Sequence, residues 1–192
     1  MTDFCPVSWP EEPTPDDWKA CKECGLYEHG SRMVWGEGNP EAPIMVVLDN
    51  PGLREDREGN QFVCGTRQTL QKVANDVGLN MDDLYVTYIL KRKPTRAYEK
   101  EQARTVCMLH LKDQLQAKQP ELVICLGNVA VQSFFHDSDV DVKSLRGSVH
   151  DVHGYQTMVA YHPLAVRRRP NLWNLFLEDW TNAANQYHEN DN

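Results

Sequence analysis

The sequence predicts an α/β protein, a three-layer α/β/α sandwich built around a central, largely parallel sheet. Short apolar runs bounded by Gly, Pro, Asn or Asp alternate with longer segments whose apolar residues recur at helical spacing. This alternation favours parallel strands, because parallel pairing needs a crossover connection that is usually a helix. The chain has 192 residues and can bury a substantial core within one domain.

Each element is predicted from its local pattern. Apolar runs that end at turn residues predict strands at 43–48, 83–90 and 121–126, with two further strand-like runs within 143–161. Apolar residues at helical spacing predict helices at 67–78, 98–118, 128–135 and 171–187. We expect Thr66 to cap the first helix. No internal repeat is apparent.

Composition separates the chain into two parts. Residues 1–20 contain four prolines and several acids and are expected to form an extended N-terminal segment, with a single domain over 21–188. The sequence has no apolar run of eighteen residues and no secretory or transit pattern, which predicts a cytoplasmic protein without a membrane partner. A monomer is expected. The net charge of −8 argues against a protein that coats nucleic acid.

The end of the first strand carries the most informative polar residues. The apolar run of 44–48 is followed directly by Asp49-Asn50-Pro51-Gly52. Proline removes a backbone donor and glycine permits a tight turn, so the strand must stop here. An acid and an amide therefore lie at the carboxyl end of a central strand, where open α/β sheets bind their ligands. Alternatively, these side chains only cap the turn.

Further candidate residues follow later strands. His162 lies between Tyr161 and Pro163, and the proline restricts it to an extended backbone at the end of a strand. Two basic clusters follow a predicted strand or the His-Pro turn: Lys91-Arg92-Lys93 and Arg167-Arg168-Arg169. We expect these clusters to form a phosphate-binding rim, the alternative being solvated loop charges.

The six cysteines are not expected to form a disulfide framework in a chain without a secretory pattern. Cys21-Lys22-Glu23-Cys24 differs from the rest, because this spacing lets two thiolates bind one metal ion or cluster. A redox pair and a chance spacing remain alternatives. Cys125 lies within an apolar run and is expected to be a small buried residue.

A set of ordered motifs runs from Cys21 to about Trp180. They are CKEC, WGEGNPEAPIMVV, NPGLRED followed by GNQFV, LYVTYILKRKPT, Cys107, LVICLGNVAV, LRGSV and AYHPLAVRR. Together they resemble the uracil-DNA glycosylase superfamily, nearest to its family 4 iron–sulfur members. The resemblance implies a DNA-repair hydrolase that flips a damaged base, uracil or a related deaminated base, and cleaves its N-glycosidic bond.

The resemblance implies catalytic roles for three residues. Asp49 falls on the catalytic glutamate of family 4, and Asn50 falls on the water-positioning asparagine of the mismatch-specific branch. His162 matches the histidine that hydrogen-bonds the departing base oxygen. This chemistry requires a carboxylate near the cationic sugar and a donor near the anionic base. Asp49 is one methylene shorter than the family's glutamate, which reduces its reach.

The resemblance also implies substrate contacts. Pro51 and Gly52 belong to the turn that contacts the base, and Phe62 matches the aromatic residue that stacks on it. Tyr88 stands where the family has its uracil-reading asparagine. Tyrosine offers one hydroxyl on a larger ring, so it would exclude uracil or select another lesion if it entered the pocket. The arginines at 167–169 fall where the superfamily places a loop against the opened duplex.

For the iron–sulfur cluster, three cysteines match family ligands: Cys21, Cys24 and Cys107. The third family cysteine is replaced by Arg92, which cannot bind iron. Cys5 is expected to complete the set, with Cys64 as a weaker substitute. The resemblance thus implies a structural [4Fe–4S] cluster, with zinc or no metal as alternatives.

Two other functions are compatible with these departures. An inactive or altered-specificity member of the superfamily would bind nucleic acid or a protein partner without turnover, as Tyr88, Arg92 and the net charge of −8 suggest. An enzyme that acts on free nucleosides is a weaker alternative. Cleavage of uracil-containing DNA distinguishes the first prediction from both.

Overall fold

A computed structural model of the protein describes residues 4–52 and 65–190. Its strands are β1 (Glu11–Glu12), β2 (Gly36–Gly38), β3 (Ile44–Leu48), β4 (Leu84–Tyr88), β5 (Leu122–Leu126), β6 (His150–Val152) and β7 (Tyr155–Ala160). They form one seven-stranded sheet in the order β1-β2-β4-β3-β5-β7-β6. The four central strands, β4, β3, β5 and β7, are parallel, whereas β1, β2 and β6 pair antiparallel at the edges. The predicted, largely parallel sheet is therefore confirmed.

Six helices accompany these strands in the described part of the chain. They are α1 (Gly65–Asp76), α2 (Lys100–Lys118), α3 (Asn128–Phe135), α4 (Val142–Leu145), α5 (Pro163–Arg168) and α6 (Trp173–Asn190). Short 3-10 turns occur at Leu26–His29, Met81–Asp83 and Pro170–Leu172. None of the helices in 4–52 or 65–190 is long and apolar enough to cross a bilayer.

The side chains of β3 show how the three layers form. Every residue of β3 is buried, and successive side chains point to opposite faces of the sheet. Ile44, Val46 and Leu48 pack into a core with apolar residues of α1 and α6. Met45 and Val47 pack into a second core with apolar residues of α2 and α3. The α/β/α sandwich is thus confirmed.

Several local predictions need correction. Thr66 lies inside α1, which already includes Gly65, so it does not cap the helix. Strands β1 and β2 were not predicted, because strands of two and three residues rich in Glu and Gly have no apolar alternation. Helix α5 was not predicted either, since the His-Pro pair at its start is equally typical of a simple turn. Part of the proline-rich N-terminal segment is thereby incorporated into the sheet as β1.

Candidate active site

The carboxyl ends of β3 and β7 bring Asp49 and His162 together. Parallel strands end at the same edge of a sheet, and only β5 separates β3 from β7. His162 Nε2 lies 3.2 Å from Asp49 Oδ1 across the end of β5. Two residues that are 113 positions apart in the sequence therefore form one polar pair.

Gly127 makes this contact across β5 possible. It follows the last residue of β5, has φ +88°, and a Cβ placed there would lie 2.9 Å from His162 Cβ. Any side chain at this position would push His162 away from its place. Gly127 was not among the predicted site residues, although it immediately precedes the helix predicted at 128–135. A glycine between a buried strand and a helix at the ligand edge was the available signal.

The backbone of α5 determines which ring nitrogen of neutral His162 carries the proton. Pro163 occupies the first turn of the helix, and the Leu164 N–H donates to His162 Nδ1 at 3.0 Å. Since Nδ1 accepts this bond, the proton of the neutral imidazole is on Nε2. His162 therefore presents an N–H donor to Asp49 and to the space beside it. No sequence pattern predicts this hydrogen bond between the Leu164 N–H and His162 Nδ1.

Asp49 remains ionised in spite of its partial burial. Burial opposes the charged form, but the hydrogen bond and charge of His162 and the backbone N–H of Asn50 outweigh it and lower the pKa of the Asp49 carboxyl. The Asn50 N–H donates to Asp49 Oδ1 at 2.9 Å. The Asn50 side chain donates from Nδ2 to the Pro51 carbonyl at 2.9 Å, which holds the turn. The turn-capping alternative thus describes part of what Asn50 does.

A cavity of about 290 Å³ opens beside this pair. Its polar lining is contributed by Asp49, His162, Tyr161, Asn128 and Arg169. Apolar atoms of Leu126, Val142 and Leu172 form much of the remaining wall. Ligand sites are typically concave and apolar with a few convergent polar groups, and this volume is near the lower end of their range. The cavity therefore suits a small group rather than a large ligand.

The predicted substrate contacts are distributed differently. Pro51 is buried and Gly52 is half-buried at the turn after β3. Tyr88 is 1% exposed and belongs to the apolar core on the α1 and α6 side, next to Leu48 in the ladder. It is not among the described residues that line the cavity. Phe62 lies outside the described residues.

Lys91 does not belong to the predicted phosphate-binding rim. Its side chain is fully buried, and Nζ donates to Thr87 Oγ1, the Tyr88 carbonyl and Gln114 Oε1 at 2.6, 2.6 and 2.7 Å. Burial lowers the pKa of Lys91 to about 7. A DNA phosphate cannot reach this ammonium group without unfolding the surrounding core, so its assignment to DNA binding was wrong.

The remaining predicted rim residues lie nearer the surface. Lys93 is half-buried, and Arg167, Arg168 and Arg169 are exposed at the end of α5. The Arg167 guanidinium donates to the Gly65 carbonyl at 3.4 Å, which joins α5 to the start of α1. Because His162 caps the N-terminus of α5, these arginines lie near the same edge of the sheet as the cavity, which Arg169 lines. Their role in DNA binding remains a prediction.

Two of the predicted metal ligands are in direct contact. The sulfur atoms of Cys24 and Cys107 lie 3.5 Å apart. The hydrogen bond from the Cys107 thiol lowers the pKa of Cys24 to about 6, and the same bond, together with burial, raises the pKa of Cys107. Within the described residues, no group of three or more His, Cys, Asp or Glu side chains is arranged to bind a metal ion.

The other predicted ligands are not placed to complete a cluster. Cys5 is exposed, and two residues later Val7 bonds through its backbone to Gln71 of α1. Helices α1 and α2 pack into different cores, on opposite faces of the sheet, and Cys107 belongs to α2. Arg92, at the third ligand position, donates from Nη1 to the Ser31 carbonyl at 2.6 Å. The described residues therefore do not fit a four-thiolate cluster, and Cys64 lies outside them.

The protein is an α/β/α sandwich. A histidine–carboxylate pair lies beside a small cavity at the carboxyl ends of its parallel strands, and this arrangement is typical of α/β enzymes. A family model described as "Uracil DNA glycosylase superfamily" matches residues 35–187. The chain belongs to this superfamily, as its motifs predicted.

Curated relatives agree with this assignment. The chain is 32% identical over 161 residues to the type-4 uracil-DNA glycosylase of Archaeoglobus fulgidus, covering 80% of this chain and 81% of the relative. The type-4 uracil-DNA glycosylase of Saccharolobus solfataricus is 29% identical, with coverage of 86% and 81%. That of Thermotoga maritima is 28% identical, with coverage of 84% and 86%. The predicted resemblance to family 4 is therefore confirmed, and the relatives bear the name of a DNA N-glycosylase.

Proposed function

We propose that this protein is a DNA-repair glycosylase that hydrolyses the N-glycosidic bond of uracil or a related deaminated base in DNA. The observation that carries the proposal is the contact between Asp49 and His162 at 3.2 Å beside a cavity of about 290 Å³. Membership of the superfamily and the names of the relatives support it.

In this proposal His162 stabilises the leaving base. Cleavage of the glycosidic bond leaves negative charge on the base, and a fixed donor lowers the energy of that charge in a water-poor site. His162 can donate from Nε2 while neutral, because the Leu164 N–H occupies Nδ1. In the complex the base oxygen would accept the Nε2–H bond that Asp49 Oδ1 accepts in the free protein. The histidine thus acts as an electrostatic donor and need not release its proton.

Asp49 stabilises the positive charge that develops on the sugar. As the bond breaks, the sugar gains oxocarbenium character, which a nearby carboxylate stabilises. The lowered pKa of Asp49 keeps that carboxylate charged at neutral pH. The same oxygen atoms can polarise the attacking water. Asn50 can orient this water but cannot remove a proton from it, and its backbone N–H already holds Asp49 in place.

The substrate is DNA, and the target base has to leave the helix. An enzyme that acts on a base inside a duplex must extrude it into a pocket. We propose that Phe62 stacks on the extruded base and that the arginines of α5 bind the flanking phosphates. Hydrolysis requires no redox cofactor. Tyr88 replaces the uracil-reading asparagine, so the proposal includes deaminated bases related to uracil.

Alkali cleavage of labelled oligonucleotides tests the proposal. Single- and double-stranded DNA with one uracil, hypoxanthine or xanthine is incubated with the protein and then heated in alkali, which breaks the strand at abasic sites. We expect strand breaks on at least one of these substrates. We also expect them to be lost in the Asp49→Ala/His162→Ala double variant. Asp17→Asn, which changes an exposed acid that does not line the cavity, should cleave like the wild type.

Two further measurements, binding of abasic DNA and release of uracil from deoxyuridine, separate the alternative functions. A binding protein without catalysis would produce no breaks in the deaminated substrates. Its double variant would bind abasic DNA as tightly as the wild type does. An enzyme of free nucleosides would release uracil from deoxyuridine. Absence of breaks on every deaminated substrate would refute the proposed function.

A further inference from the structure

The contact between Cys24 and Cys107 lies against a small apolar cluster, with the cations of Arg92 and Lys91 close by. Cys107 is 3% exposed and packs with Leu26, Leu90 and Ala103, and Cys24 is half-buried against the same cluster. The two sulfurs are 3.5 Å apart, although 83 positions separate them in the chain. The pair therefore connects the segment around the C-x-x-C motif to the middle of α2.

This geometry agrees poorly with the predicted cluster. In a four-thiolate cluster each cysteine binds its own iron, so the width of the cluster holds the sulfurs apart. Here the sulfurs touch, and the guanidinium of Arg92 is fixed on the Ser31 carbonyl. Two thiolates on one zinc ion would lie about 3.8 Å apart, but zinc requires four ligands. No third ligand joins the pair among the described residues.

We propose that Cys24 and Cys107 form a reversible disulfide, which links the C-x-x-C segment to α2 in place of a metal centre. A sulfur–sulfur bond of about 2.05 Å needs the two atoms, now 3.5 Å apart, to approach by about 1.5 Å. The bond is uncharged and suits the apolar cluster. A charged metal–thiolate centre would have to be desolvated there.

The chemistry is a pair of thiol–disulfide exchanges with a low-molecular-weight disulfide such as oxidised glutathione. Cys24 attacks first because it is the more exposed of the two. Its sulfur bonds to one glutathione sulfur, and the other leaves as a thiol. Cys107 then attacks the Cys24 sulfur and expels the second glutathione. Two protein thiols lose two electrons and two protons, and one oxidised glutathione becomes two reduced molecules.

Peptide mapping and metal analysis test this proposal on the full chain. The protein is isolated with and without reductant, its iron and zinc are measured, and it is equilibrated with oxidised glutathione. We expect less than stoichiometric metal and a peptide pair linked through Cys24 and Cys107. The loop closed by this bond is long, so we expect the Tm to rise by about 5–15 °C relative to the reduced protein. Dithiothreitol should abolish both the link and the shift.

Variants make the result specific. Cys107→Ser should stop at a mixed disulfide of Cys24 with glutathione, whereas Cys21→Ser should keep the Cys24 link and the Tm shift. Arg92→Cys restores a thiol at the third ligand position. We expect it to take up about four iron ions on anaerobic reconstitution with iron and sulfide, while the wild type does not.

Three results would each overturn the proposal. The first is iron uptake by the wild type at the level of a full cluster, and the second is one tightly bound zinc ion per chain. The third is a metal-free wild type whose Cys24 and Cys107 remain unlinked after oxidation. None of these depends on glycosylase activity.

Discussion

Asp49 and Lys91 follow neighbouring parallel strands, yet the structure gives them opposite environments. Asp49 comes directly after β3 and lines the cavity with His162. Lys91 comes three residues after β4 and is fully buried. Both were predicted to be functional, because each is a charged residue near the carboxyl end of a strand. Only Asp49 lies where a ligand can reach it.

The difference arises from the direction of each side chain, because the backbone of both residues is paired. Beyond β4, the Ile89 and Leu90 N–H groups donate to the Leu48 and Asp49 carbonyls at 2.9 Å, so this part of the chain stays paired with β3. On the other side, the Val34 N–H donates to the Lys91 carbonyl at 2.7 Å. Lys91 is therefore held between two partners, with its ammonium directed at Gln114 of α2. The Asp49 backbone is paired as well, and its carboxylate reaches the cavity because it is directed at His162.

The largest effect should follow Asp49→Asn. This change keeps the size of the side chain but removes the charge that would stabilise the sugar. If the proposed function is correct, the single-turnover cleavage rate on the preferred substrate should fall by about 10³-fold, a typical loss for one electrostatic group in an active site. Circular dichroism should show an unchanged fold. A variant with wild-type rates would remove Asp49 from the mechanism.

Gly127→Ala should damage the same edge without changing any polar group. The new Cβ would lie 2.9 Å from His162 Cβ, and φ +88° is strained for alanine. Strain in this region costs about 1–3 kcal/mol of folding free energy. Displacement of His162 should lower the cleavage rate by about 10²-fold.

A matched glycine separates these two effects. Gly78 also has positive φ, at +81°, but a Cβ there meets nothing within 4 Å. Gly78→Ala should therefore lose stability in urea unfolding and keep its cleavage rate. Equal losses of rate in both variants would mean that Gly127 acts through stability alone.

Lys91→Met tests the buried side of the comparison. The change removes an amino group that donates to Thr87, the Tyr88 carbonyl and Gln114. Unpaired buried acceptors should reduce the free energy of unfolding by about 1–3 kcal/mol at pH 8. The cleavage rate of the folded fraction should not change, and a large loss of rate would reassign Lys91 to the active site.

The pH dependence of this penalty follows from the pKa of Lys91, lowered by burial to about 7. Between pH 7 and 8.5 the unfolded chain binds more protons at this lysine than the folded chain does. Wild-type stability should therefore gain up to about 1.4 kcal/mol per pH unit as pH rises. Lys91→Met lacks this contribution, so its penalty should shrink as pH is lowered to 6, where both states are protonated. A constant penalty in urea unfolding across this range would contradict the assignment.

The same contrast explains how much the sequence could predict. The buried strands were found because β3, β4 and β5 are continuous apolar runs bounded by turn residues. Asp49 and His162 were each singled out from their places after two strands and from the family resemblance, whereas the 3.2 Å contact between them is seen only in the structure. In contrast, the burial of Lys91 depends on Gln114, which lies within the apolar stripe of α2 and contacts Lys91 only in the folded chain.

The cysteines show the same limit. Cys24 and Cys107 were singled out as metal ligands, but sequence spacing cannot measure the 3.5 Å between their sulfurs. It also cannot show that the chain near Cys5 is bound to α1 through Val7 and Gln71. Motif order predicts which residues matter, whereas the faces of the sheet determine which of them meet.

The smallest expected effect contrasts an exposed arginine with the buried lysine in DNA binding. Arg168 is exposed near the end of α5, whereas Lys91 is inaccessible. Arg168→Ala should weaken binding to abasic DNA a few-fold at low salt. It should also reduce the slope of log K against log salt by about 1, because one phosphate contact is lost. Lys91→Met should leave that slope unchanged in fluorescence-anisotropy titrations. If Lys91→Met lowered the slope and Arg168→Ala did not, the DNA would approach another face, and the edge that carries Asp49 and His162 would not be where it binds.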